Sequence, residues 1–252
     1  MRILVVITGV GDPNFKQKIT HLHNNFKLLD KTKPKNSIID FEIIYYDDKL
    51  NEFTFDKKFN IKKIYNKGLV GTHIYNHLSQ KNFQDYDHVV AMLDDIVLCK
   101  NFDLNEMINL QVKYEISIFS PSLTEDSVIN NGHMRTRSRH DGKLIIQNHL
   151  EYFCYLFCLS NPKIKDALGL WLSLFTEDTK YTWGTASAIT HCLNLKCVMH
   201  NDVHMKHLFK GAHQGGKAMD EWRRLNERLK LKYGKISDPN RKGVLGFIDY
   251  KK

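Results

Sequence analysis

The stretch DHVVAMLDDIVLCKNF, residues 87–102, decides how the fold of this chain is interpreted. Its first half is a run of apolar and β-branched residues, which is typical of a buried strand. The run stops at two adjacent aspartates, Asp94 and Asp95, and a second apolar run follows at once. Because an unpaired carboxylate is very costly inside a core, the two aspartates indicate a strand end that has a task of its own.

Upstream runs extend this pattern toward the N-terminus. Further strands are predicted in RILVVIT (2–8), IIDFEIIYYDD (38–48) and IKKIYN (61–66). A helical pattern from Asn14 to Leu29 separates the first two, with apolar residues at spacings of three and four. Strands that alternate with helices predict an α/β domain with a mixed, mostly parallel sheet flanked by helices. Ligands bind such sheets beyond the carboxyl ends of the strands, which is where the two aspartates would lie.

The second half of the chain is less regular. Strands are predicted in ISIFSPSL (116–123), EYFCYLFCLS (151–160) and KCVMHND (196–202), and helices begin near Pro162, Thr185 and Gly216. The polar segment 124–149 is interpreted as a long loop that covers the sheet.

Composition narrows the class of protein. The chain has 252 residues, of which 42% are apolar, and this suits one domain over 1–252. The sequence contains no run of about 18 apolar residues, so no membrane span is predicted. Its five cysteines are scattered and contain no CxxC pair, so a soluble, cytoplasmic protein is expected. The net charge is +9 (37 basic minus 28 acidic), and residues 206–252 contribute +8 of it (13 minus 5). A solvated helix face and a surface for an anionic partner are both compatible with this basic tail.

The aspartate pair is suited to one kind of chemistry. Carboxylates at the end of a buried strand can hold Mg²⁺ or Mn²⁺, which take oxygen ligands. Such an ion can neutralise a diphosphate and make it a better leaving group. The alternative is that both aspartates cap the strand or accept hydrogen bonds from neighbouring backbone amides.

The order of motifs resembles that of GT-A-fold glycosyltransferases. It is most similar to a plant-abundant family of glycosyltransferase-like proteins of unknown function, and giant-virus glycosyltransferases share that fold. The resemblance runs from about residue 2 to about 213 and rests on six segments: EIIYYDD, DHVVAMLDDIVLCKNF, ISIFSPSL, LEYFCYLFCLSN, YTWGTASAITHC and HMKHL. It implies a nucleotide-binding half (1–100), an acceptor-side half (101–215) and a basic C-terminal helix and tail (216–252). A viral source, and with it the cytoplasm of an infected host, is compatible with the resemblance.

The resemblance also implies a set of donor-binding residues. A UDP-sugar would be the donor, a glycan hydroxyl the acceptor, and Mn²⁺ or Mg²⁺ the cofactor. Asp95 and His207 would hold the ion, and Asp94 the ribose or the donor sugar. Asp47 would accept a hydrogen bond from the uracil ring. The remaining nucleotide contacts would come from Thr8, Gly9, Lys67 and the Gly68–Gly71 loop.

Two positions depart from the family pattern. The family's Asp-Glu-Asp motif aligns with Asp94, Asp95 and Ile96, so the third acid is missing or the register shifts by one. The aspartate that follows Trp-Gly in the family aligns with Ala186.

An inverting transfer needs a carboxylate within hydrogen-bond reach of the attacking hydroxyl. Asp178 and Glu151 are the candidate general bases, with Glu177 beside Asp178, and each of them can also be a plain cap. Trp183, Tyr152 and Trp171 are candidates for stacking on a sugar, or else core residues.

Three rival interpretations stay open. A catalytically inactive nucleotide- or glycan-binding module is suggested by Ile96 and Ala186. A nucleic-acid-binding protein is suggested by the basic tail, but the aromatic residues that single-strand binders interleave with such charges are missing. A zinc site built from His200, His204 and His207, with His213 beyond, is the third. The oligomeric state cannot be deduced from the sequence.

Overall fold

One large sheet with helices packed on it dominates the computed structural model, which describes residues 1–11, 14–128, 132–182, 184–209, 215–234 and 243–251. The strands are β1 (Arg2–Val10), β2 (Ile38–Tyr45), β3 (Asn60–Tyr65), β4 (His88–Leu93), β5 (Ile96–Leu98), β6 (Ile118–Leu123), β7 (Lys143–Gln147), β8 (Cys154–Cys158), β9 (Cys197–His207) and β10 (Val244–Asp249). The helices are α1 (Phe15–Thr32), α2 (Val70–His73, continued by a π-helical turn, Ile74–Leu78), α3 (Leu104–Lys113), α4 (Ala167–Leu172), α5 (Thr185–His191) and α6 (Gly215–Tyr233).

The strand order is β10-β7-β9-β6-β8-β4-β1-β2-β3, with β5 paired to β9 outside that path. The pairs β1–β2, β1–β4, β2–β3 and β6–β9 are parallel, whereas the others are antiparallel. Seven of the ten strands in the described part of the chain therefore point the same way, and β5, β7 and β8 oppose them. This confirms the prediction of a mixed, mostly parallel sheet flanked by helices.

Hydrophobic burial explains why the predicted elements form. Every residue of β1 after Arg2 is buried, as expected for a parallel strand covered on both faces. The buried stripe of α1 places Phe26 against Phe41 of β2, with ring centroids 4.4 Å apart. On β8, Trp171 of α4 stacks on Phe157 at 5.3 Å. A single cluster of buried apolar side chains runs through all of these elements.

The structure corrects two expectations for individual elements. The segment 124–149 is not one long loop, because β7 lies within it and pairs with β9 and β10. The basic tail supplies a strand of the sheet, β10, in addition to the predicted helix. No described helix is long and apolar enough to cross a membrane. The division of the chain into a nucleotide-binding and an acceptor-side half stays a prediction.

The register fixes which strand ends meet. Thr8 of β1 is paired with Leu93 at the end of β4, and Val10 is paired with Tyr45 at the end of β2. The amide of Leu93 also donates to the carbonyl of Phe153, the residue before β8, at 2.9 Å, so β8 begins beside the end of β4. The predicted donor-binding residues of β1, β2 and β4 thus come together at one carboxyl edge.

Candidate functional site

Asp95 and His207 form the centre of this carboxyl edge. The chain turns sharply after β4 at Asp94 and Asp95, and β5 then pairs antiparallel with β9, which sets Ile96 opposite His207. The amide of Leu208 donates to the Asp95 carbonyl at 3.1 Å, which holds the two backbones together. As a result, Nε2 of His207 lies 3.2 Å from Oδ2 of Asp95. The two residues that the sequence nominated as metal ligands are therefore in contact.

The donor set of this pair suits a divalent ion. Oδ1 of Asp95 and Nδ1 of His207 are buried polar atoms with no hydrogen-bond partner among the described residues. Buried polar atoms are normally satisfied, so such orphans indicate a missing partner. A carboxylate with an imidazole suits Mn²⁺ better than Mg²⁺. Ile96 is fully buried, and its hydrocarbon side chain has no atom that could serve as a third ligand.

Asp94 takes a different partner from Asp95. Nζ of Lys18, on α1, lies 2.7 Å from Oδ2 of Asp94 and donates to the carbonyl of Gly11 at 3.1 Å. Both charged side chains are about 8% exposed. Burial raises the pKa of Asp94 to about 8, the charge of Asp95 adds to the shift, and Lys18 opposes it. The adjacent aspartates thus have separate surroundings, because both lie in the sharp turn between β4 and β5.

Sequence reasoning missed Lys18. Its neighbours in the helical pattern, Phe15, Ile19 and Leu22, formed the predicted apolar stripe, and Lys18 falls inside that stripe. The available signal was a lysine on the core-facing side of an amphipathic helix. That helix follows closely after β1, the strand whose end borders the site.

The end of β1 is shaped by its glycines. Gly9 has φ +86°, a conformation that glycine adopts without strain, and its amide donates to Nδ1 of His73 at 3.2 Å. Burial lowers the pKa of His73 to about 4, so the ring is neutral and can accept this bond. A Cβ on Gly11 would overlap the ring of Tyr46, so only glycine lets that ring lie against the backbone.

The other predicted nucleotide contacts differ in their exposure. The Thr8 side chain is fully buried, its hydroxyl lies 3.2 Å from that of Tyr152, and its carbonyl accepts from the amide of Asp94 at 3.2 Å. Asp47 accepts from the amide of Lys49 at 3.1 Å and begins a short 3₁₀ turn. Lys67 is exposed beside Gly68. Asp47 is therefore a capping residue in this structure, and its role toward uracil stays a prediction.

The candidate base residues lie in two places. Glu177 and Asp178 are exposed on a turn closed by the Thr176–Thr179 hydrogen bond. The carbonyl of Lys180, two residues after Asp178, accepts from the amide of Gly71 at 2.9 Å, so this turn borders the start of α2. Glu151 is partly buried, and its Oε1 lies 2.7 Å from Nε2 of His149.

Helix α6 holds the turn that carries Asp178. The carboxylate of Glu221 accepts from the amides of Lys180 (2.7 Å) and Tyr181 (2.9 Å). Arg228 donates to Oγ1 of Thr176 at 3.1 Å and also to the Leu174 carbonyl. Part of the charge on the predicted basic helix therefore has internal partners.

Several alternatives are removed by these positions. His200 is fully buried against Phe119, and His204 pairs with the carbonyl of Asn201, so within the described residues they do not join His207 in a three-histidine zinc site. Trp171 is a core residue with no exposed surface, and so it cannot stack on a sugar. His213 and Trp183 lie outside the described residues.

Comparison with known proteins supports the fold. No family model and no curated protein matches this sequence. Among solved structures, GalNAc-T7 with UDP, GalNAc and Mn²⁺ matches at a TM-score of 0.61 and 11% identity, over 90% of this chain and 47% of that one. Residues 1–349 of TarS from S. aureus, in complex with UDP-GlcNAc, match at 0.56 and 12%, over 92% and 66%. The chain thus spans between half and two thirds of the length of these structures.

These neighbours are GT-A nucleotide-diphospho-sugar transferases, so the GT-A fold expected from the sequence is confirmed. The resemblance to the plant-abundant and giant-virus families stays a prediction.

Proposed function

We propose that this protein transfers a sugar from a nucleotide diphosphate, UDP-linked, to a hydroxyl group of a glycan. The observation that carries the proposal is the Asp95–His207 pair, 3.2 Å apart, at the carboxyl edge of a GT-A sheet and next to a second buried aspartate. Ligands of α/β sheets bind at this edge. The matched structures contain UDP with Mn²⁺ in GalNAc-T7 and UDP-GlcNAc in TarS, which supports a donor of the same class here.

In this proposal the donor lies across the ends of β1 and β4. Gly9, with its φ of +86°, gives the end of β1 the backbone shape against which the nucleotide would lie. Asp94 binds the ribose or donor sugar, and Lys18 offsets its charge in the absence of the donor. Asp47 and Lys67 contribute to the base and phosphate contacts.

Asp95 and His207 are the residues that would hold a divalent cation, Mn²⁺ or Mg²⁺. Such an ion neutralises the diphosphate as it leaves. With two protein ligands and no acid at Ile96, the affinity for the ion depends on the diphosphate, as is usual for sites shared with phosphates. We therefore expect ion and nucleotide to bind cooperatively.

For the transfer step we propose Asp178 as the general base and Glu177 as the alternative on the same turn. Both are exposed, so an acceptor hydroxyl can reach them, and the turn is held by α6. The base takes the proton of the acceptor hydroxyl. The oxygen of that hydroxyl attacks the sugar carbon while the bond from this carbon to the diphosphate breaks. Glu151 is the third candidate, but its carboxylate is already engaged by His149.

The proposal is tested by titrating the protein with UDP in Mn²⁺ and in a chelator. We expect UDP to bind at least about tenfold more tightly in Mn²⁺, which is about 1.4 kcal/mol. Asp95→Ala and His207→Ala should each remove the difference. Asp126→Asn is the matched control, since Asp126 pairs with Lys206, the residue before His207, on the exposed surface.

Two outcomes would contradict the proposal at different levels. Equal UDP affinity in Mn²⁺ and chelator would remove the metal and leave a metal-independent transferase. The absence of any UDP binding, by a protein that is folded, would remove the donor assignment itself.

A binding module without turnover is the second candidate. It is favoured by Ala186, which is buried at the start of α5, where the resembling family has a carboxylate. UDP binding without release of UDP from UDP-sugars, tested over a panel of glycan acceptors, would favour this candidate.

A further inference from the structure

A second group of metal-ligating side chains lies outside the proposed donor site. His133, on a 3₁₀ turn (Gly132–Met134), meets His149 and Glu151, which lie between β7 and β8. One ligand atom from each of the three residues lies within 4.8 Å of the other two. The rings of His133 and His149 are 5.2 Å apart at an angle of 72°. Within the described residues, this is the one such group of three.

The backbone around these side chains is fixed by hydrogen bonds. The side-chain amide of Gln147 donates to the His133 carbonyl at 3.0 Å and ties the 3₁₀ turn to the end of β7. On the other side, Thr190 donates to the Asn148 carbonyl at 2.5 Å, and the hydroxyl of Tyr155 donates to the Leu150 carbonyl. His149 is therefore held on both sides by side chains from α5 and β8.

The chemistry of the group matches a transition metal. Two imidazoles and one carboxylate are a known ligand set of Zn²⁺, with bonds of about 2.0–2.2 Å, which puts the ligand atoms roughly 3.4 Å apart around a tetrahedral ion. Nε2 of His149 and Oε1 of Glu151, 2.7 Å apart, are closer than that, and all three ligand atoms lie within 4.8 Å of one another, so small side-chain rotations can bring them to this spacing.

The group of His133, His149 and Glu151 is buried on one side and open to solvent on the other. His149 is buried, and its Nδ1 has no hydrogen-bond partner among the described residues. The Glu151 side chain is 27% exposed, so solvent can supply a fourth ligand.

We propose that His133, His149 and Glu151 bind a Zn²⁺ ion at a site separate from Asp95 and His207. The ion joins the turn that follows β6 to the segment that precedes β8. That segment continues to Phe153, whose ring is 5.2 Å from the ring of His207. The role of the ion is to fix the segment that forms a wall of the donor site. Glu151 is then a metal ligand and not the general base. The proposal does not depend on the transferase assignment.

The test measures Zn²⁺ binding to the full chain after chelation, in a His207→Gln background that disables the donor site. We expect one Zn²⁺ per chain, and a Co²⁺ absorption spectrum typical of tetrahedral coordination. His133→Gln, His149→Gln and Glu151→Gln should each weaken Zn²⁺ binding by at least tenfold. His77→Gln is the matched control, because His77 forms a similar pair with Glu42 at 2.8 Å without a second imidazole.

Two results would overturn the proposal of a Zn²⁺ site. Equal Zn²⁺ affinity for the background protein and its His133→Gln variant would overturn the proposal, as would a loss of binding in the His77→Gln control alone. His133 is partly exposed, so this variant carries the test if His149→Gln fails to fold. UDP binding measured on the same His133→Gln variant, with His207 intact, reports on the donor site independently.

Discussion

At the scale of single residues, the site depends on two neighbouring contacts, Asp95 with His207 at 3.2 Å and Asp94 with Lys18 at 2.7 Å. Asp95 could be assigned to the carboxyl edge from the strand pattern, and His207 to the same site through the resemblance to GT-A-fold glycosyltransferases. The ion pair between Lys18 and Asp94 could not, because it joins a helix to a strand 76 positions away through a packing geometry that no local pattern encodes. The same is true of His73, which became visible only through its bond to Gly9.

The Lys18–Asp94 pair leads to a stability prediction. Removing one partner of a buried ion pair leaves an uncompensated charge, so Lys18→Met should lower the free energy of unfolding by about 3–5 kcal/mol. The double variant Lys18→Met/Asp94→Asn should recover part of that loss, because the stranded carboxylate is gone. Urea unfolding at about pH 9, above the pKa of about 8 to which burial raises Asp94, measures both values with the carboxylate ionised.

Lys16→Met serves as the control for this prediction, since Lys16 is exposed on the same turn of α1. A Lys18→Met loss no larger than that of the control would show that the pair contributes little. A double variant less stable than Lys18→Met would contradict the assigned cause.

At the scale of elements, patterns predicted the long strands and missed the short ones. β1, β2 and β4 are runs of β-branched residues bounded by polar or glycine-containing segments, so their periodicity stands out. β5 has three residues, and β7 lies in a polar neighbourhood; both exist because an already formed strand, β9, offers them hydrogen bonds. α2 begins at Val70, so Gly71 of the predicted Gly68–Gly71 loop lies inside it.

Glu42 fastens the π-helical turn after α2 to β2. Its two oxygens accept from His77 and from Lys81, both at 2.8 Å. Burial alone would raise the pKa of this carboxyl, but the bonds from His77 and Lys81 outweigh it and lower the pKa to about 2. Because the folded-state pKa lies below the ordinary value, the ionised form contributes stability above pH 4.5, and that contribution is lost as the pH falls toward 2.

We therefore predict that Glu42→Gln lowers the free energy of unfolding at pH 7 by about 1.5–3 kcal/mol, the value of hydrogen bonds to a charged group. The gap between wild type and variant should narrow as the pH falls from 4.5 to 3. Urea unfolding across this range is the measurement. Asp30→Asn is the control, because the Asp30–Lys33 pair is exposed. A gap that is constant with pH would contradict the ionic origin of the effect.

At the scale of the whole molecule, the sequence predicted the class of fold but not the strand order. Alternating elements imply a largely parallel sheet, whereas the position of β10 beside β7 depends on a pairing between distant segments. Charge counting left both a solvated helix face and a surface for an anionic partner open for the basic helix. The structure shows instead that Glu221 and Arg228 of α6 bind the 174–181 segment, so the C-terminal helix determines where Asp178 lies.

The contacts that Glu221 and Arg228 make with the 174–181 segment lead to the last prediction, which rests on Asp178 as the general base. Asp178→Asn should lower kcat by about 10²–10⁴ and leave the affinity for UDP nearly unchanged. Glu221→Gln removes a carboxylate that accepts two backbone amides, so the turn should loosen. We expect kcat to fall, by less than in Asp178→Asn, with UDP affinity again preserved. Arg228→Met should act in the same direction.

Arg223→Met is the matched control, since Arg223 lies on the same helix and pairs with Asp220 in solvent. The measurements are steady-state turnover and UDP titration, with thermal unfolding to confirm that each variant is folded. A merely structural brace would lower stability without separating kcat from donor affinity. If Glu221→Gln lowers kcat while Asp178→Asn leaves it unchanged, the turn matters but the base is another residue on it, and Glu177→Gln then becomes the deciding variant.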